Sequence, residues 1–290
     1  MMPWTLSAFA DEAGGSTDEQ ITACIKAGLT HIDPRHVDGY NITELPIKLA
    51  EDVARQYEAA GIRVHMFGSP IGKIDIADDL SIDLAKLDHL GRLKDVFGAT
   101  DVRIFSYYNK AGADKATWQQ QSLDRLKRLR DRAGELGLVL FHENESGIYG
   151  DHPEDVAKIA ELRDGETFKL IYDFGNYLTT NAPPQQSWAM FKDQTDCMHL
   201  KDRKRDGQHV PMGTGETDAR AILKDAVDTG WEGTCVVEPH LTHSKAVIAT
   251  GVHGTGDVSL ASLSAAESFH VAVEAARGLL GSVGADCTRR

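Results

Sequence analysis

The sequence predicts a (β/α)₈ barrel, the TIM-barrel fold, formed by one domain that spans residues 1–290. Eight short apolar or β-branched runs alternate with helical segments, and they recur at intervals of about 25 to 39 residues. The candidate strands begin near residues 5, 30, 62, 101, 138, 169, 196 and 234. The chain length is also close to the roughly 250 residues of a typical barrel. An open doubly wound sheet is the alternative, but such a sheet usually carries a glycine-rich loop after its first strand, and Phe9-Ala10-Asp11-Glu12 is not one.

Glycines mark where the helices should end. A glycine can adopt the left-handed conformation that closes a helix, so a glycine just before an apolar run predicts a helix end followed by a strand. Five glycines fit this pattern: Gly28, Gly61, Gly98, Gly137 and Gly230. After the eighth strand, residues 241–262 should be irregular, and a final helix should span about 262–280.

Helix starts are indicated by capping-box spacing, in which a short polar residue is followed three positions later by Glu or Gln. Three pairs have this spacing or resemble it: Ser16 with Glu19, Thr117 with Gln120, and Asp151 with Glu154. Each pair therefore predicts the first turn of a helix.

Composition and charge argue against several classes of protein, among them nucleic-acid-binding and membrane proteins. The chain has 31 Lys and Arg against 44 Asp and Glu, a formal charge of −13, which argues against nucleic acid or an anionic membrane surface as the partner. No apolar stretch approaches the roughly 20 residues of a membrane span, and the N-terminus lacks the basic start of a secretory signal. The four cysteines are widely spaced, as suits reduced thiols. We therefore expect a soluble cytoplasmic protein.

Polar side chains at the ends of four neighbouring strands suggest a metal site. Barrel enzymes hold their catalytic groups at the C-terminal ends of the strands. Strands five to eight each offer one metal-binding side chain there, namely Glu143, Asp173, His199 and Glu238. Three carboxylates and one imidazole suit a divalent ion, most readily Mn²⁺ or Mg²⁺, with Co²⁺ or Zn²⁺ also possible. The alternative is that these are ordinary polar strand ends, solvated or paired with one another.

Eight short motifs carry a family resemblance: FADE, GSPIGK, RIFSYY, HENESGIYGD, YDFGN, HLKD, PMGTGE and VVEPH. They cover nearly the whole chain and resemble the sugar-phosphate isomerase/epimerase family, xylose isomerase-like TIM barrels that include ketose 3-epimerases and inosose dehydratases. In the ketose 3-epimerases the metal ligands are Glu, Asp, His and Glu on successive strands, which this chain matches in order and type. The resemblance implies that Glu143 and Glu238 also serve as acid and base, and it implies a homo-oligomer.

The resemblance also bears on the substrate. An arginine six residues past the metal histidine contacts substrate in that group, and Arg205 occupies this position. Three residues past the metal aspartate, where the epimerases often have histidine, this chain has Asn176. That departure argues against carrying over the ketose-epimerase substrate unchanged. The substrate is therefore expected only to be a sugar, a keto-sugar or a cyclitol.

The expected chemistry is removal of a proton next to a carbonyl, because a divalent ion can stabilise the resulting enediolate and carboxylates can move the proton. Return of the proton to the other face gives an epimerase, and return to the neighbouring carbon gives an isomerase. Loss of a β-substituent would instead give a lyase, a dehydratase or an eliminase of an oxidised sugar or glycoside. A metal-dependent isomerase or epimerase is the leading hypothesis and a lyase is the alternative.

Four further residues are predicted substrate contacts, each with an alternative. Lys73 in GSPIGK can bind a substrate oxygen or lie on the surface, and His65 can touch substrate or make a buried hydrogen bond. Arg35 can anchor a substrate oxygen or form a salt bridge to Asp33 or Glu44. Lys201 lies two residues past His199, so strand alternation directs it towards the pocket.

Two other functions fit the sequence less well. A DNA-repair endonuclease resembling endonuclease IV would need a larger set of histidines and a less acidic chain. A barrel that only binds carbohydrate would have no use for two facing acid/base glutamates.

Overall fold

The computed structural model describes residues 4–241, 258–260, 262–285 and 287. It contains thirteen strands: β1 Thr5–Ala8, β2 His31–Ile32, β3 His36–Val37, β4 Tyr40–Asn41, β5 Arg63–Val64, β6 Met66–Phe67, β7 Asp101–Ile104, β8 Val139–Glu143, β9 Phe168–Asp173, β10 Thr195–Leu200, β11 Asp202–Arg203, β12 His209–Val210 and β13 Thr234–Val237. The eight strands that begin nearest the predicted positions each start within one residue of them. The predicted barrel is confirmed.

The helices are α1 Thr17–Ala27, α2 Ile47–Ala59, α3 Ser81–Phe97, α4 Lys115–Leu136, α5 Pro153–Ala160, α6 Phe174–Thr179, α7 Pro184–Phe191, α8 Ala219–Asp228 and α9 Ala265–Val283. Short 3₁₀ turns lie at Ala10–Glu12, Tyr149–Asp151, Lys192–Gln194 and Val258–Leu260. The final helix is confirmed, shifted by three residues from the predicted 262–280. Most of the segment predicted to be irregular, residues 242–257 and 261, lies outside the described residues. None of the helices in the described part of the chain is long and apolar enough to span a bilayer.

Parallel pairing closes the barrel. Seven strands form one sheet in the order β1-β13-β10-β9-β8-β7-β6. The third barrel strand is interrupted at His65, so that its first part, β5, pairs with β2 and its second part, β6, pairs with β7. The backbone amide of Asp33 donates to the carbonyl of Ala8 over 3.0 Å, which links the second strand back to β1.

Two apolar clusters form the core, one between strands and helices and a smaller one inside the barrel. The inner cluster comprises Phe9, Met66, Phe141, Ile171, Cys197 and Val236. Side chains two residues apart on a strand face the same side. The residues two positions after the last four of these therefore also face the barrel interior, directly above the apolar floor. They are Glu143, Asp173, His199 and Glu238.

One of the three predicted capping boxes is present. Ser16 and Glu19 cap α1 reciprocally, as predicted. The prediction at Thr117 is wrong, because Asp114 caps α4 by accepting hydrogen bonds from the amides of Ala116 and Thr117. The prediction at Asp151 is also wrong, because that residue ends a 3₁₀ turn and α5 begins at Pro153. An unpredicted capping box joins the residues that begin α9, Ser264 and Glu267.

Gly72, in the loop that carries Lys73, yields a prediction of stability. Gly72 has a φ of +86°, and a β-carbon there would overlap the carbonyl group of Phe105. Gly112 has a φ of +72° but open space around it. Gly112→Ala should cost only left-handed strain, ~1–2 kcal/mol, whereas Gly72→Ala adds overpacking and should cost about 2–5 kcal/mol. Urea unfolding of both variants measures the difference. Equal losses would show that the Phe105 contact does not constrain the loop.

Candidate metal centre

Four buried side chains meet at the C-terminal end of the barrel. Glu143 ends β8, Asp173 ends β9, His199 lies in β10, and Glu238 directly follows β13. Each is at most 3% exposed, and one ligand atom from each lies within 4.8 Å of the others. The structure therefore brings together the set that the strand ends predicted.

Each of the three carboxylates has one oxygen near the centre of the cluster and a second oxygen that binds a neighbouring group. His199 Nδ1 lies 3.0 Å from Glu143 Oε1 and 3.7 Å from Glu238 Oε2. Asp173 Oδ1 accepts a hydrogen bond from the backbone amide of Asn176 over 2.7 Å. Within the described residues, its other oxygen, Oδ2, is buried and accepts no well-aligned hydrogen bond, although Lys201 Nζ lies 2.9 Å away. One oxygen from each carboxylate and an imidazole nitrogen thus face a common point, and this donor set fits a divalent cation.

Burial and mutual repulsion shift the pKa values of these groups in opposite directions. Burial, with Glu143 and Glu238 nearby, raises the pKa of Asp173 to about 8 despite the Lys201 ammonium. Burial lowers the pKa of His199, but Glu143 and Glu238 outweigh this effect and raise it to about 9. Burial alone would raise the pKa of Glu143, but His199 and Arg103 lower it to about 2. At neutral pH and without a bound cation, Asp173 and His199 therefore hold protons and Glu143 is ionised.

Three cationic side chains pair with the carboxylates. Lys201 Nζ lies 2.9 Å from both Asp173 Oδ2 and Glu238 Oε2. Arg35 binds Asp11 at 2.8 Å and reaches Glu238 Oε1 at 3.3 Å. This arginine thus forms a salt bridge, although with different partners from those that its neighbours in the sequence suggested.

Arg103, the third cation, was missed by the sequence reasoning. It lies on β7, and its Nη1 is 3.2 Å from Glu143 Oε2 and 3.4 Å from Glu238 Oε1. The signal was present, because Arg103 is the single charge within the apolar run 102–105. The sequence could not show, however, that this guanidinium contacts two glutamates, each with a lowered pKa. Only the folded barrel brings the three side chains together.

Two further predicted substrate contacts, His65 and Lys73, each pair with a carboxylate outside the four clustered side chains. His65 Nδ1 lies 3.1 Å from Asp33 Oδ1, and this carboxylate outweighs burial to raise the pKa of His65. Lys73 Nζ lies 2.9 Å from Glu145 and 4.2 Å from the Phe105 ring centroid, with 20% of the lysine side chain exposed.

Asn176 and Arg205 differ in their distance from the centre. Asn176 donates through Nδ2 to the carbonyl of Asn144 over 2.9 Å and lies 3.5 Å from Glu143 Oε1, so it borders the site. The Arg205 side chain is 65% exposed and its Nε lies 3.8 Å from Glu216. The structure therefore does not bring Arg205 to the four clustered side chains.

Loops after the first and eighth strands supply a further unit that the sequence reasoning missed. Glu12 accepts hydrogen bonds from the backbone amide of His240 at 2.8 Å and lies 2.9 Å from its Nδ1. The other ring nitrogen of His240 is 3.6 Å from Glu238 Oε1. His240 adopts a φ of +49°, a left-handed conformation that is uncommon for residues other than glycine.

The glycine-rich segment 211–216 is organised by Asp202. The backbone amides of Gly213 and Gly215 both donate to Asp202 Oδ2, over 2.8 and 2.9 Å, and Thr217 donates to Oδ1. These amides are therefore already used and do not form a phosphate cradle.

Sequence comparison identifies the family. A family model described as the xylose isomerase-like TIM barrel matches residues 21–253, most of the chain. The chain belongs to the xylose isomerase-like TIM barrel family. The resemblance stated from the motifs is thereby confirmed.

A relative with a known name is distant from this chain in sequence. An inosose dehydratase from Lacticaseibacillus casei is 21% identical over 139 residues, which cover 42% of this chain and 47% of that protein. The chain thus aligns with less than half the length of this curated relative.

Solved structures show the same fold at low identity. The crystal structure of the IolI protein with a binding zinc atom superposes with a TM-score of 0.75 at 15% identity, over 96% of this chain and 99% of that one. D-psicose 3-epimerase in the presence of D-fructose gives a TM-score of 0.72 at 15% identity, over 97% and 99% of the two chains.

Cation binding should release protons. Asp173 and His199 must lose their protons before they bind a metal, so affinity for Mn²⁺ should rise with pH and level off above about pH 9. Calorimetric titration at pH 7 in buffers of different ionisation enthalpy should detect release of between one and two protons per ion. Uptake of Mn²⁺ without proton release would contradict the raised pKa values.

Proposed function

We propose that this protein is a divalent-metal-dependent isomerase or epimerase that moves a proton next to the carbonyl of a sugar, a keto-sugar or a cyclitol. The observation that carries the proposal is that two buried glutamates, Glu143 and Glu238, lie 3.0 and 3.7 Å from the same ring nitrogen of His199. Ionised carboxylates beside a polarised carbonyl are the groups that such a proton transfer requires.

Each glutamate can act as a base because nearby cations keep it ionised. Burial opposes ionisation of Glu238, but Lys201 and His240 are among the groups that hold its pKa well below its usual range. Glu143 and Glu238 project from β8 and from the end of β13, with β9 and β10 between them. A substrate carbon held between them would meet one carboxylate on each face. Glu143 can then remove a proton on one face, while Glu238 passes a proton from the Lys201 ammonium, 2.9 Å away, to the other face, and exchange with solvent restores both groups.

A divalent ion held by Glu143, Asp173, His199 and Glu238 would supply a Lewis acid that stabilises the negative charge developing on the substrate oxygen. We propose Mn²⁺ as the native ion, since three carboxylates and one imidazole suit a cation of intermediate hardness. The crystal structure of the IolI protein contains a bound zinc atom, which supports a divalent ion in a protein of this fold.

The names of two relatives support a carbohydrate-like substrate. One is an inosose dehydratase, and the other is a D-psicose 3-epimerase in the presence of D-fructose. The compounds in these names, an inosose and two ketohexoses, are polyhydroxylated ketones. A substrate of this kind offers the carbonyl and the neighbouring C–H that the site can use.

Dehydration is the second candidate, and Lys201 favours it. Its ammonium lies 2.9 Å from Glu238 and 2.9 Å from Asp173, beside the proposed base. A positively charged donor there can protonate a departing hydroxyl after the proton next to the carbonyl has been removed. The inosose dehydratase relative is consistent with this outcome.

Removing either proposed base should abolish turnover. Glu143→Gln and Glu238→Gln each keep an oxygen but lose the basic carboxylate, so the rate of the Mn²⁺-loaded enzyme should fall at least about 100-fold. Glu161→Gln is the matched control, because this glutamate is 66% exposed and pairs with Lys158 on the surface. A near-native rate in either site variant would show that its carboxylate is not the base.

Hydrogen exchange separates the two reactions. Mn²⁺-loaded protein incubated in D₂O with ketoses or an inosose should introduce deuterium next to the carbonyl, measured by NMR, and should give a rearranged sugar. An unsaturated ketone absorbing in the ultraviolet would contradict the isomerase proposal and favour dehydration. The absence of both exchange and elimination across the panel would contradict both reactions.

A further inference from the structure

The Arg103 guanidinium lies between the two proposed bases. Its Nη1 is 3.2 Å from Glu143 and 3.4 Å from Glu238, and its Nη2 donates to the carbonyl of Gly68 over 3.4 Å. The side chain is 5% exposed, so these contacts form away from bulk water. The arginine therefore links two glutamates that come from strands on opposite sides of β9 and β10.

The oxygens that Arg103 contacts are the ones turned away from His199. Arg103 takes Oε2 of Glu143 and Oε1 of Glu238. His199 Nδ1 lies closest to the other oxygen of each, Oε1 of Glu143 and Oε2 of Glu238. Glu143 thus has one oxygen paired with Arg103, and Glu238 has one oxygen that Arg103 shares with Arg35, whose Nη1 lies 3.3 Å away. The other oxygen of each glutamate is directed to the point where the four side chains converge.

Aromatic packing keeps the guanidinium in this place. Its central carbon lies 4.7 Å from the Phe9 ring centroid and 5.0 Å from that of Phe105. Nε of Arg103 is buried and has no hydrogen-bond partner in the described part of the chain. The side chain is therefore held by its two rings, the Gly68 carbonyl and the two glutamates.

We propose that Arg103 is a positioning residue that makes Glu143 bind the metal through one oxygen and, together with Arg35, makes Glu238 do the same. This inference rests on the metal site of the proposed function. With one oxygen of each glutamate occupied, neither carboxylate can close on the cation with both oxygens. Coordination positions that two chelating glutamates would fill are thereby left for substrate oxygens. Lysine cannot replace arginine in this role, since an ammonium is a point donor without a planar fork.

Arg103→Lys tests the proposal with the charge unchanged, and Co²⁺ alone is the probe. Apo protein is titrated with Co²⁺ by calorimetry, and the loaded protein is measured by X-ray absorption at the cobalt edge. Wild type should lack the cobalt–carbon scattering that a chelating carboxylate produces. Arg103→Lys should gain that scattering and bind Co²⁺ about 10–100-fold more weakly. Arg103→Met should gain the same scattering.

Arg163→Lys is the matched control. Arg163 forms a two-point pair with Asp196, over 2.9 and 2.7 Å, at the start of β10 and away from the metal centre. This exchange should leave the cobalt spectrum and affinity unchanged.

The outcomes separate this proposal from the proposed function. A wild-type protein that binds no Co²⁺ overturns the metal site and, with it, the role of Arg103. A wild-type protein that binds Co²⁺, with the same spectrum and affinity in Arg103→Lys, overturns only the role of Arg103. If the variants fail to fold by circular dichroism, the wild-type spectrum still decides, because chelating glutamates in wild type would contradict the proposal.

Discussion

Repulsion among three buried carboxylates governs the C-terminal end of this barrel. Glu143, Asp173 and Glu238 lie at positions fixed by strand pairing, so they cannot move apart without breaking the sheet. Buried charges are costly unless they are paired. Without a bound cation, protons on Asp173 and His199 and three cationic side chains offset this repulsion. A divalent ion held by the same donors would replace those protons. The ion pairs, the shifted pKa values and the proposed chemistry all follow from this concentration of negative charge.

Much of this arrangement could be predicted, because it depends on periodicity. Alternation along a strand puts Glu143 on the same face as Phe141, and the same rule puts His199 on the face of Cys197. The contacts of Arg103 and of the Glu12–His240 unit could not be predicted in this way. They join loops or strands up to 228 residues apart, and which interior side chains meet across a barrel depends on the closure of the whole sheet.

Residues outside the strands were harder to place. Arg205 lies in the turn of an antiparallel hairpin, between its strands β11 and β12. A fixed spacing from His199 carries no information about that hairpin, and the arginine lies on the surface beside Glu216. The start of α4 was also predicted wrongly from spacing alone, since Asp114 caps this helix instead of the predicted box at Thr117.

Anomalous diffraction from Mn²⁺-soaked crystals is the most direct measurement of whether one cation joins these four strands. We expect a single strong peak about 2.0–2.6 Å from donor atoms of Glu143, Asp173, His199 and Glu238, with Lys201 displaced from at least one of its two carboxylates. Saturating Mn²⁺ without a peak at this position, and with both Lys201 ion pairs intact, would contradict the metal centre and the enzymatic function that depends on it.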